Sequence, residues 1–510
     1  MSTRILLYRS LIAAALLTLL LQLFPVPCSL AQGLPVARAS GVRSGRAGGM
    51  ATEMQVAPSD DDPPTTGVQQ DDAGSASGEQ MVSAEPALYQ VFMPRIQVPE
   101  ARYVAPYGDD DNPGTRTEPW ATLGHAARMA EPGNLVILRQ GVYEAGRGDT
   151  FTVSGTPGWP IVFRAEVPGA AVLQYDDSVA YKWNLDGVSH LVFEGLVLDG
   201  GRAEASACVR LADSSHITFR NCVIQETRGH GIRIHGGNSH ILVENCEIRP
   251  NFHEGPGRDG IQIYATEDRG PDEYITIRKC EIHETDHNGI VVSDARHVVI
   301  ERNEIYAVHS HGITPVRGCD DVVIRYNVLH GEDGWADLEA NPWGMKEGIF
   351  VHYDGVRNLY IYGNTIYHTS SSAIYLRDGI VGAVEIHHNT FHDNNGYVEY
   401  ADRGAVHLYN ITTEPRISVR DNIISTLNPR AMHIESGCTI ANLDMDHNLW
   451  YAEGSDGEIR RLRPVYPFSK YHLFEPNSLF DVDPMFVDAD AGNFALSSAS
   501  PVAGWGFGAH

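Results

Sequence analysis

One short phrase recurs from about Asp213 to Asn448, and this repeat constrains the fold more than any other feature of the chain. Clear copies read HITFRNCVIQETRGHGIRI, YITIRKCEIHETDHNGIVV and HVVIERNEIYAVHSHGITP. Self-similarity at a period of roughly 20 to 50 residues is typical of a solenoid, in which each turn buries its apolar face only against neighbouring turns. The repeat therefore predicts a coil, and the remaining segments should cap or decorate it.

Two columns of residues define the register of the repeat. The first column holds a bend residue in each turn: Leu196, Cys222, Cys246, Cys280, Asn303, Asn327, Asn364, Asn389, Asn422 and Asn448. The second column holds a small residue: Cys208, Gly231, Gly260, Gly289, Gly312, Gly348, Ala373, Ala405 and Ala431. Apolar residues alternate before the first column and after the second, which is the period of a β-strand. We therefore expect an all-β, single-stranded parallel β-helix in which the small second column allows a sharp bend.

Stacking explains the chemistry of the first column. Equivalent positions of parallel strands lie one above the other, about 4.8 Å apart. An Asn side chain at a bend can therefore bond to the next turn and satisfy buried backbone groups. Cysteines at three positions of this column are predicted to be free packing thiols, although stacked neighbours could also be close enough for a disulfide.

The chain divides into four predicted segments. Residues 1–31 have basic residues, an apolar run and small residues before Gln32, which indicate a signal peptide of the bacterial type. Residues 32–100 are rich in Gly, Ser, Ala, Asp and Pro and are predicted to be a disordered linker. The β-helix should occupy residues 101–450, and residues 451–510 should form a C-terminal capping segment across the final turn.

The two ends of the predicted coil carry a family resemblance. The phrase from Arg102 to Tyr143 combines a helical stretch, Ala121 to Ala130, with the apolar strand Leu135 to Leu138. Together with the ending DPMFVDADAGNFALSSASPVAGWG, it resembles secreted right-handed parallel β-helix proteins that are grouped with pectate-lyase-like folds. The resemblance implies a right-handed coil, as does the general rule for parallel crossovers. It also implies an N-terminal helical cap over the open edge of the first turn.

Three insertions mark the expected working edge of the coil. Most turns have nine residues from the first column to the second, but the turns after Cys246, Asn327 and Asn389 are longer. All three insertions fall between the same two strands, so they should leave the coil at one edge, where loops on a rigid scaffold usually carry function. The residues just before the second column should form one file there: His230, Asp259, Asn288, His311 and Glu347.

The longest insertion, Gly331 to Gly348, resembles the acidic Asp-Asp-Gly-Trp-Asp segment of family 9 pectate lyases. The resemblance implies calcium ligands at Glu332, Asp333 and Asp337, and a lysine base, for which Lys346 is the candidate. Hard carboxylate oxygens are the ligands that calcium prefers, and Trp335 and Trp343 could stack on sugar rings. Asp337 is displaced by one inserted residue, and His311 stands where an acidic residue was expected.

These residues suit β-elimination on a uronic acid polymer. Removing the proton beside a carboxylate builds negative charge, which calcium would stabilise, while Lys346 or His311 would act as the base. The substrate-binding candidates are Arg228, His230, Arg258, His287, Trp335 and Trp343.

Three alternatives remain open. Consecutive turns carry Asp259, Asp286 and His311 in an order similar to that of polygalacturonase-type hydrolases. Asp259 and Asp286 are therefore candidates for acid and base in an inverting hydrolysis. A uronate epimerase would share proton abstraction with a lyase. A non-catalytic glycan-binding or surface protein would have the same signal peptide, linker and coil.

Charge restricts the partners. A formal net charge of -27 argues against nucleic acid, and an anionic polymer would need bridging cations or local positive charge. No second apolar stretch predicts a membrane span in the mature chain. We expect a secreted or cell-surface monomer that acts on an extracellular, anionic polysaccharide.

Overall fold

The structure is a computed structural model that describes residues 101–146, 148–175, 181–201, 206–249, 258–266, 268–331, 344–396 and 402–509. These residues form three sheets of 13 strands each, and consecutive turns contribute one strand to each sheet. Nearly all neighbouring strands pair in parallel, so the predicted all-β parallel β-helix is confirmed. We name the sheets A, B and C in the order in which a turn passes through them.

Sheet A precedes the first column, and its strands are Ala101–Val104, Leu135–Leu138, Ile161–Ala165, Ser189–Glu194, Ser215–Arg220, Ser239–Glu244, Asp272–Arg278, Ala295–Glu301, Asp320–Arg325, Arg357–Tyr362, Val384–His387, Ile417–Arg420 and Leu443–Asp446. Sheet B begins at or directly after the first column, and its strands are Gly141–Gly146, Ala171–Tyr175, Leu196–Asp199, Val223–Gln225, Glu247–Arg249, Glu281–Ile282, Glu304–Tyr306, Val328–His330, Thr365–Tyr367, Thr390–His392, Ile423–Thr426, Leu449–Ala452 and Leu479–Phe480.

Sheet C contains the second column or follows it directly, and its strands are Asp149–Phe151, Tyr181–Asp186, Ala207–Ala212, His230–Ile234, Ile261–Tyr264, Ile290–Ser293, His311–Val316, Glu347–Val351, Ile374–Leu376, Val406–Leu408, Arg430–Ile434, Glu458–Arg461 and Val465–Pro467. Only the last of these strands pairs antiparallel with its neighbour within sheet C. The inward residues of all three sheets form one continuous apolar core.

Asparagine side chains hold the bend between sheets A and B. The backbone N–H of Asn327 donates to Asn364 Oδ1 over 3.0 Å, and the Asn327 side chain donates to the same oxygen and to the Ile300 carbonyl. The same pattern runs from Asn303 to Asn448. The residue before the column has a positive φ in each of these turns, for example Tyr326 at 56°. The predicted ladder is confirmed, and the column cysteines are free.

The second column is small for a reason other than the predicted one. Its glycines do not lie in the left-handed region, but an added Cβ at Gly289 would lie 2.6 Å from the Gly312 carbonyl oxygen and 2.6 Å from an Ile305 methyl group. Lack of space, and not backbone torsion, therefore excludes larger residues at this bend.

A helix covers the N-terminal end of the coil. The helix Leu123–Met129 begins after Thr122, whose hydroxyl accepts from the His125 N–H, and it packs against strand Asp149–Phe151. The predicted helical cap is confirmed. The C-terminal segment contains the short helix Phe468–Tyr471 and the antiparallel strands Phe486–Asp488 and Asn493–Leu496.

The C-terminal segment differs from its predicted course. Parallel pairing continues past residue 450, through Glu458–Arg461 and Leu479–Phe480. The last residues then fold back along sheet B, where the Gly508 N–H donates to the Asp421 carbonyl and Phe494 packs on Tyr367. Val502 and Phe507 of this segment pack on apolar side chains of sheet B such as Ile423, and the burial of this apolar surface stabilises the course of the segment.

Candidate functional site

A groove of about 660 Å³ lies on the outer face of sheet C, beside its bend with sheet B. Four consecutive strands form its floor: Ile261–Tyr264, Ile290–Ser293, His311–Val316 and Glu347–Val351. The three insertions predicted to mark the working edge all join sheet B to sheet C. The groove therefore lies next to the edge at which function was expected.

The predicted file of polar residues is present at this bend. His311 pairs directly with Glu347 in the strand register. The register of the neighbouring strands places Asn288, Asp259 and His230 on the preceding turns at the same position. All except His311 are buried, and His311 is partly exposed at the groove.

Asp259 is the centre of a hydrogen-bond network. Its Oδ1 accepts from the Asn288 backbone N–H at 3.2 Å and from the Asn288 side chain at 2.9 Å, and it lies 3.0 Å from His287 Nδ1. Its Oδ2 accepts from Gln262 Nε2 at 3.1 Å and lies 3.4 Å from His230 Nδ1. Burial alone would raise the pKa of Asp259, but hydrogen bonds and charge from His230 and His287 lower it well below its usual range. Asp259 is therefore a charged, fully engaged carboxylate.

A second carboxylate faces His311. Glu347 Oε2 lies 2.7 Å from His311 Nδ1, and Glu347 Oε1 accepts from Arg403 Nη1 at 2.8 Å. The same guanidinium nitrogen donates to Ser371 Oγ at 2.9 Å. Burial acts to raise the pKa of Glu347, but His311, Ser371 and Arg403 together lower it. His311 Nδ1 and Glu347 Oε2 make no hydrogen bond of regular geometry within the described residues, so their 2.7 Å approach is a contact between an imidazole and a charged carboxylate.

The other predicted site residues lie at different places around this bend. Lys346 and His287 belong to a second file, which lies one position before the buried file. Backbone hydrogen bonds between successive turns place Lys346 and His287 in it, and the strand register places Arg258 in it as well. Arg228 and Asp286 lie one residue further back, are partly buried and do not line the described part of the groove. The predicted residues Glu332, Asp333, Trp335, Asp337 and Trp343 lie outside the described residues.

Several groove residues escaped sequence reasoning. Arg317, Phe350, His352 and Tyr353 all line the groove, and Tyr353 is 63% exposed. Phe350 and His352 lie two and four residues after Gly348, on the outward positions of sheet C. The alternation that begins at the second column therefore contained the information to find these two residues.

His352 is a neutral base at ordinary pH. Burial lowers its pKa to about 4, and the neighbouring His311 and Arg377 act in the same direction. Its ring stacks on Phe350 with centroids 4.3 Å apart. It adds a hydrogen-bonding group to the groove without adding charge.

The described groove residues do not provide a free set of calcium ligands. Both oxygens of Asp259 are engaged by hydrogen-bond donors, and Glu347 is held between His311 and Arg403. Calcium is usually bound by about 6 to 8 oxygen atoms, each roughly 2.3–2.6 Å from the ion. The predicted calcium site thus depends on the segment 332–343, outside the described residues.

Comparison with known proteins agrees with this architecture. Residues 102–272 match the model of the Pel9A-like right-handed β-helix region, and residues 207–341 match that of the right-handed β-helix region. Over these parts of its length, the chain is similar to pectate-lyase-like right-handed β-helix proteins. The handedness that the crossover rule predicted is thereby confirmed.

Relatives of the β-helix protein match it in part. It is 26% identical over 216 residues to pectate lyase L of Dickeya dadantii, which covers 39% of this chain and 49% of the relative. It is 30% identical over 156 residues to the uncharacterized protein YwoF of Bacillus subtilis, over 29% of this chain and 28% of the relative. The matches therefore span half or less of these relatives' length.

Among solved structures, that of pectate lyase Pel9A covers 69% of this chain and 80% of its own, with 21% identity and a TM-score of 0.45. Among the described residues, no helix is long and apolar enough to span a membrane.

Proposed function

We propose that the β-helix protein is a polysaccharide lyase that acts by β-elimination on a uronic-acid-containing polymer. The observation that carries the proposal is the His311–Glu347 pair at the floor of an open groove. A similarity to pectate lyase L supports the substrate class. The same proposal includes an extracellular location, a monomeric state and an anionic polysaccharide as partner.

His311 is the proposed base. In this proposal the imidazole carries its proton on Nδ1, next to Glu347, and Nε2 removes the proton from the carbon beside the sugar carboxylate. The electrons form a carbon–carbon double bond as the bond to the glycosidic oxygen of the next carbon breaks. Glu347 stabilises the imidazolium that results, and Arg403 positions Glu347.

His287 is the proposed proton donor to the leaving oxygen. It is half-exposed beside the groove on the turn next to His311, and its Nδ1 lies on Asp259. In this proposal each of the two imidazoles has its own carboxylate. One imidazole can then remove the proton from carbon while the other donates a proton to the leaving oxygen. Asp259 acts as a positioning residue, because its oxygens are already engaged.

Positive charge must balance the substrate carboxylate. Arg317 lines the groove, and Lys346 lies beside Glu347 at the bend. We assign both to carboxylate binding, and exposed Tyr353 to stacking on a sugar ring. When bound, calcium at the predicted loop ligands would neutralise developing charge, in addition to these side chains.

The test is incubation of the protein with pectate, alginate and glycosaminoglycans, with and without calcium. A lyase releases unsaturated products, which are followed by ultraviolet absorbance, and new reducing ends are measured in parallel. We expect unsaturated products with at least one uronate polymer, and a loss of roughly 10²–10⁴-fold in kcat in His311→Gln. His216→Gln, an exposed histidine on the sheet A side, is the matched control and should retain activity.

Three outcomes would contradict the proposal. Reducing ends without unsaturated product would indicate hydrolysis. Binding without any new ends would indicate a glycan-binding protein. Full activity in His311→Gln together with its loss in Lys346→Met would transfer the role of the base to the lysine.

A further inference from the structure

The outer face of sheet C continues beyond the groove as a stack of rings. Phe350, Tyr375, His407 and His433 occupy the same position on four consecutive turns. Their successive ring centroids lie 5.1, 4.5 and 4.9 Å apart. The stack ends in two adjacent histidines, and no part of the proposed lyase chemistry uses them.

These two histidines are buried without matching hydrogen bonds. His407 and His433 are each 3% exposed. Within the described residues, neither ring nitrogen of His407 has a hydrogen-bond partner. A buried polar group without a partner costs free energy, and proteins rarely retain one without a reason. The missing partner of His407 is therefore a clue to a bound group.

A carboxylate faces both rings. Glu435 Oε1 lies 3.5 Å from His407 Nε2 and 3.7 Å from His433 Nε2. In a tetrahedral zinc site, ligand atoms about 2.0–2.1 Å from the ion lie roughly 3.3–3.5 Å from each other. One ligand atom from each residue lies within 4.8 Å of the others, so small side-chain rotations would complete the geometry.

We propose that His407, His433 and Glu435 bind one divalent transition-metal ion of the zinc class. Two imidazoles and one carboxylate favour zinc over calcium, which takes oxygen ligands. The described residues supply three ligands, and water would complete a tetrahedral shell. Because the ligands belong to two consecutive turns, the ion would cross-link them. The proposal is independent of the lyase reaction and of the predicted calcium site.

The surroundings suit a cation held by neutral imidazoles. The charged groups nearest the two rings are Glu435 and Asp402, and Arg403 and Arg460. Asp402 is exposed and pairs with Arg460 and Arg430. The His407 ring is buried and its nitrogens make no hydrogen bond within the described residues, so a ring nitrogen is available to a metal.

A second group of possible ligands is less suited to an ion. His368, His392 and Asp393 also approach each other. However, His392 Nδ1 lies 3.2 Å from Ser425 Oγ, and its Nε2 lies 3.2 Å from Asp393 Oδ2. These nitrogens already have partners within the protein, unlike those of His407.

The test is titration of zinc into the untagged, chelator-treated full chain by calorimetry. We expect one ion per chain, and an affinity lower by about tenfold or more in His433→Ala and in Glu435→Gln. His216→Ala, which removes a ring from a histidine stack on the sheet A side, is the control and should bind normally. Cobalt should give the visible absorption of a tetrahedral site in the wild type and lose it in His433→Ala.

Circular dichroism of each variant separates loss of a ligand from loss of the fold, and Glu435→Gln preserves size at a partly exposed position. The proposal is overturned if the wild type binds no zinc, or if both ligand variants bind it unchanged. Binding that is lost in His392→Ala but kept in His433→Ala would place the ion at the other group and would also overturn it.

Discussion

Two histidine–carboxylate pairs define the candidate site at the residue scale. Asp259 faces His287 and Glu347 faces His311, on turns that follow one another along the groove. Burial opposes the charge on each carboxylate, but the histidines and hydrogen-bond donors around it lower its pKa. Each imidazole therefore lies against a charged carboxylate at the groove.

Glu347→Gln tests this positioning. The amide keeps the size of the side chain but removes the charge that orients His311 and stabilises its protonated form. We expect kcat on the responsive uronate polymer to fall by roughly 10²–10³-fold with KM little changed, because the carboxylate acts on the base and not on the substrate. Steady-state kinetics measure the split.

Glu385→Gln on the outer face of sheet A is the matched control for charge and should leave both constants unchanged. A rise in KM with unchanged kcat in Glu347→Gln would show instead that Glu347 serves substrate binding.

The asparagine ladder is the main device at the scale of a single structural element. Asn364 accepts from the backbone and side chain of Asn327 and donates to the Ile324 carbonyl and to Asn389 Oδ1. Cys246, in the same column, lies 3.4 Å from the Glu244 carbonyl oxygen and contacts the thiols of Cys222 and Cys280 on the neighbouring turns. The same bend is therefore built in two ways, by hydrogen bonds at one end of the coil and by thiol packing nearer the other.

Asn364→Ala should destabilise the protein by about 3 kcal/mol, because it leaves several buried backbone and side-chain groups unpaired. Cys246→Ala should cost only about 1 kcal/mol, since it removes packing from a small site. Denaturant unfolding of the two variants beside the wild type gives the comparison. Equal losses would mean that the ladder's hydrogen bonds add little beyond filling space.

At the scale of the whole molecule, the two ends of the coil each bury a carboxyl group. Asp149, under the N-terminal helix, accepts from the Tyr175 hydroxyl at 2.6 Å. Glu475, at the other end, accepts from Trp450 Nε1 at 3.0 Å and meets the last ladder residue, Asn448. Burial raises the pKa of Asp149 to about 6 and also raises that of Glu475.

Stability should therefore fall with rising pH through Asp149. Below the ordinary value of 3.8 both the folded and the unfolded chain hold the proton, and between 3.8 and about 6 only the folded chain does. Because the unfolded chain releases its proton first, the free energy of unfolding falls by about 3 kcal/mol across this window and levels off once the folded chain is deprotonated too.

Asp149→Asn should lack that loss. The difference between the unfolding free energies of variant and wild type, measured at pH values on either side of the window, isolates this carboxyl from all others. A difference that does not change with pH would contradict the raised pKa.

The repeat alone determined the coil, its register, the ladder and the file from His230 to Glu347. Period-two alternation and a recurring bend residue are local properties, and parallel stacking turns equal sequence positions into neighbours. The same alternation was sufficient, in principle, to find Phe350 and His352. The last parallel strands, Glu458–Arg461 and Leu479–Phe480, carry no clear repeat. For this reason the predicted end of the β-helix, at residue 450, lies before the end of the parallel pairing.

Only the tertiary structure decided which charges meet. Arg403 reaches Glu347 across 56 residues of sequence, and Glu435 faces both His407 and His433. Such contacts depend on side-chain direction across turns of unequal length, which spacing does not encode. From the sequence, we predicted that the glycine column serves a sharp backbone bend. The limit at Gly289 is instead steric, and it comes from the neighbouring turn and from the sheet B strand packed beneath it. The sequence thus determines where each residue stands in the coil, and packing between turns determines its partner.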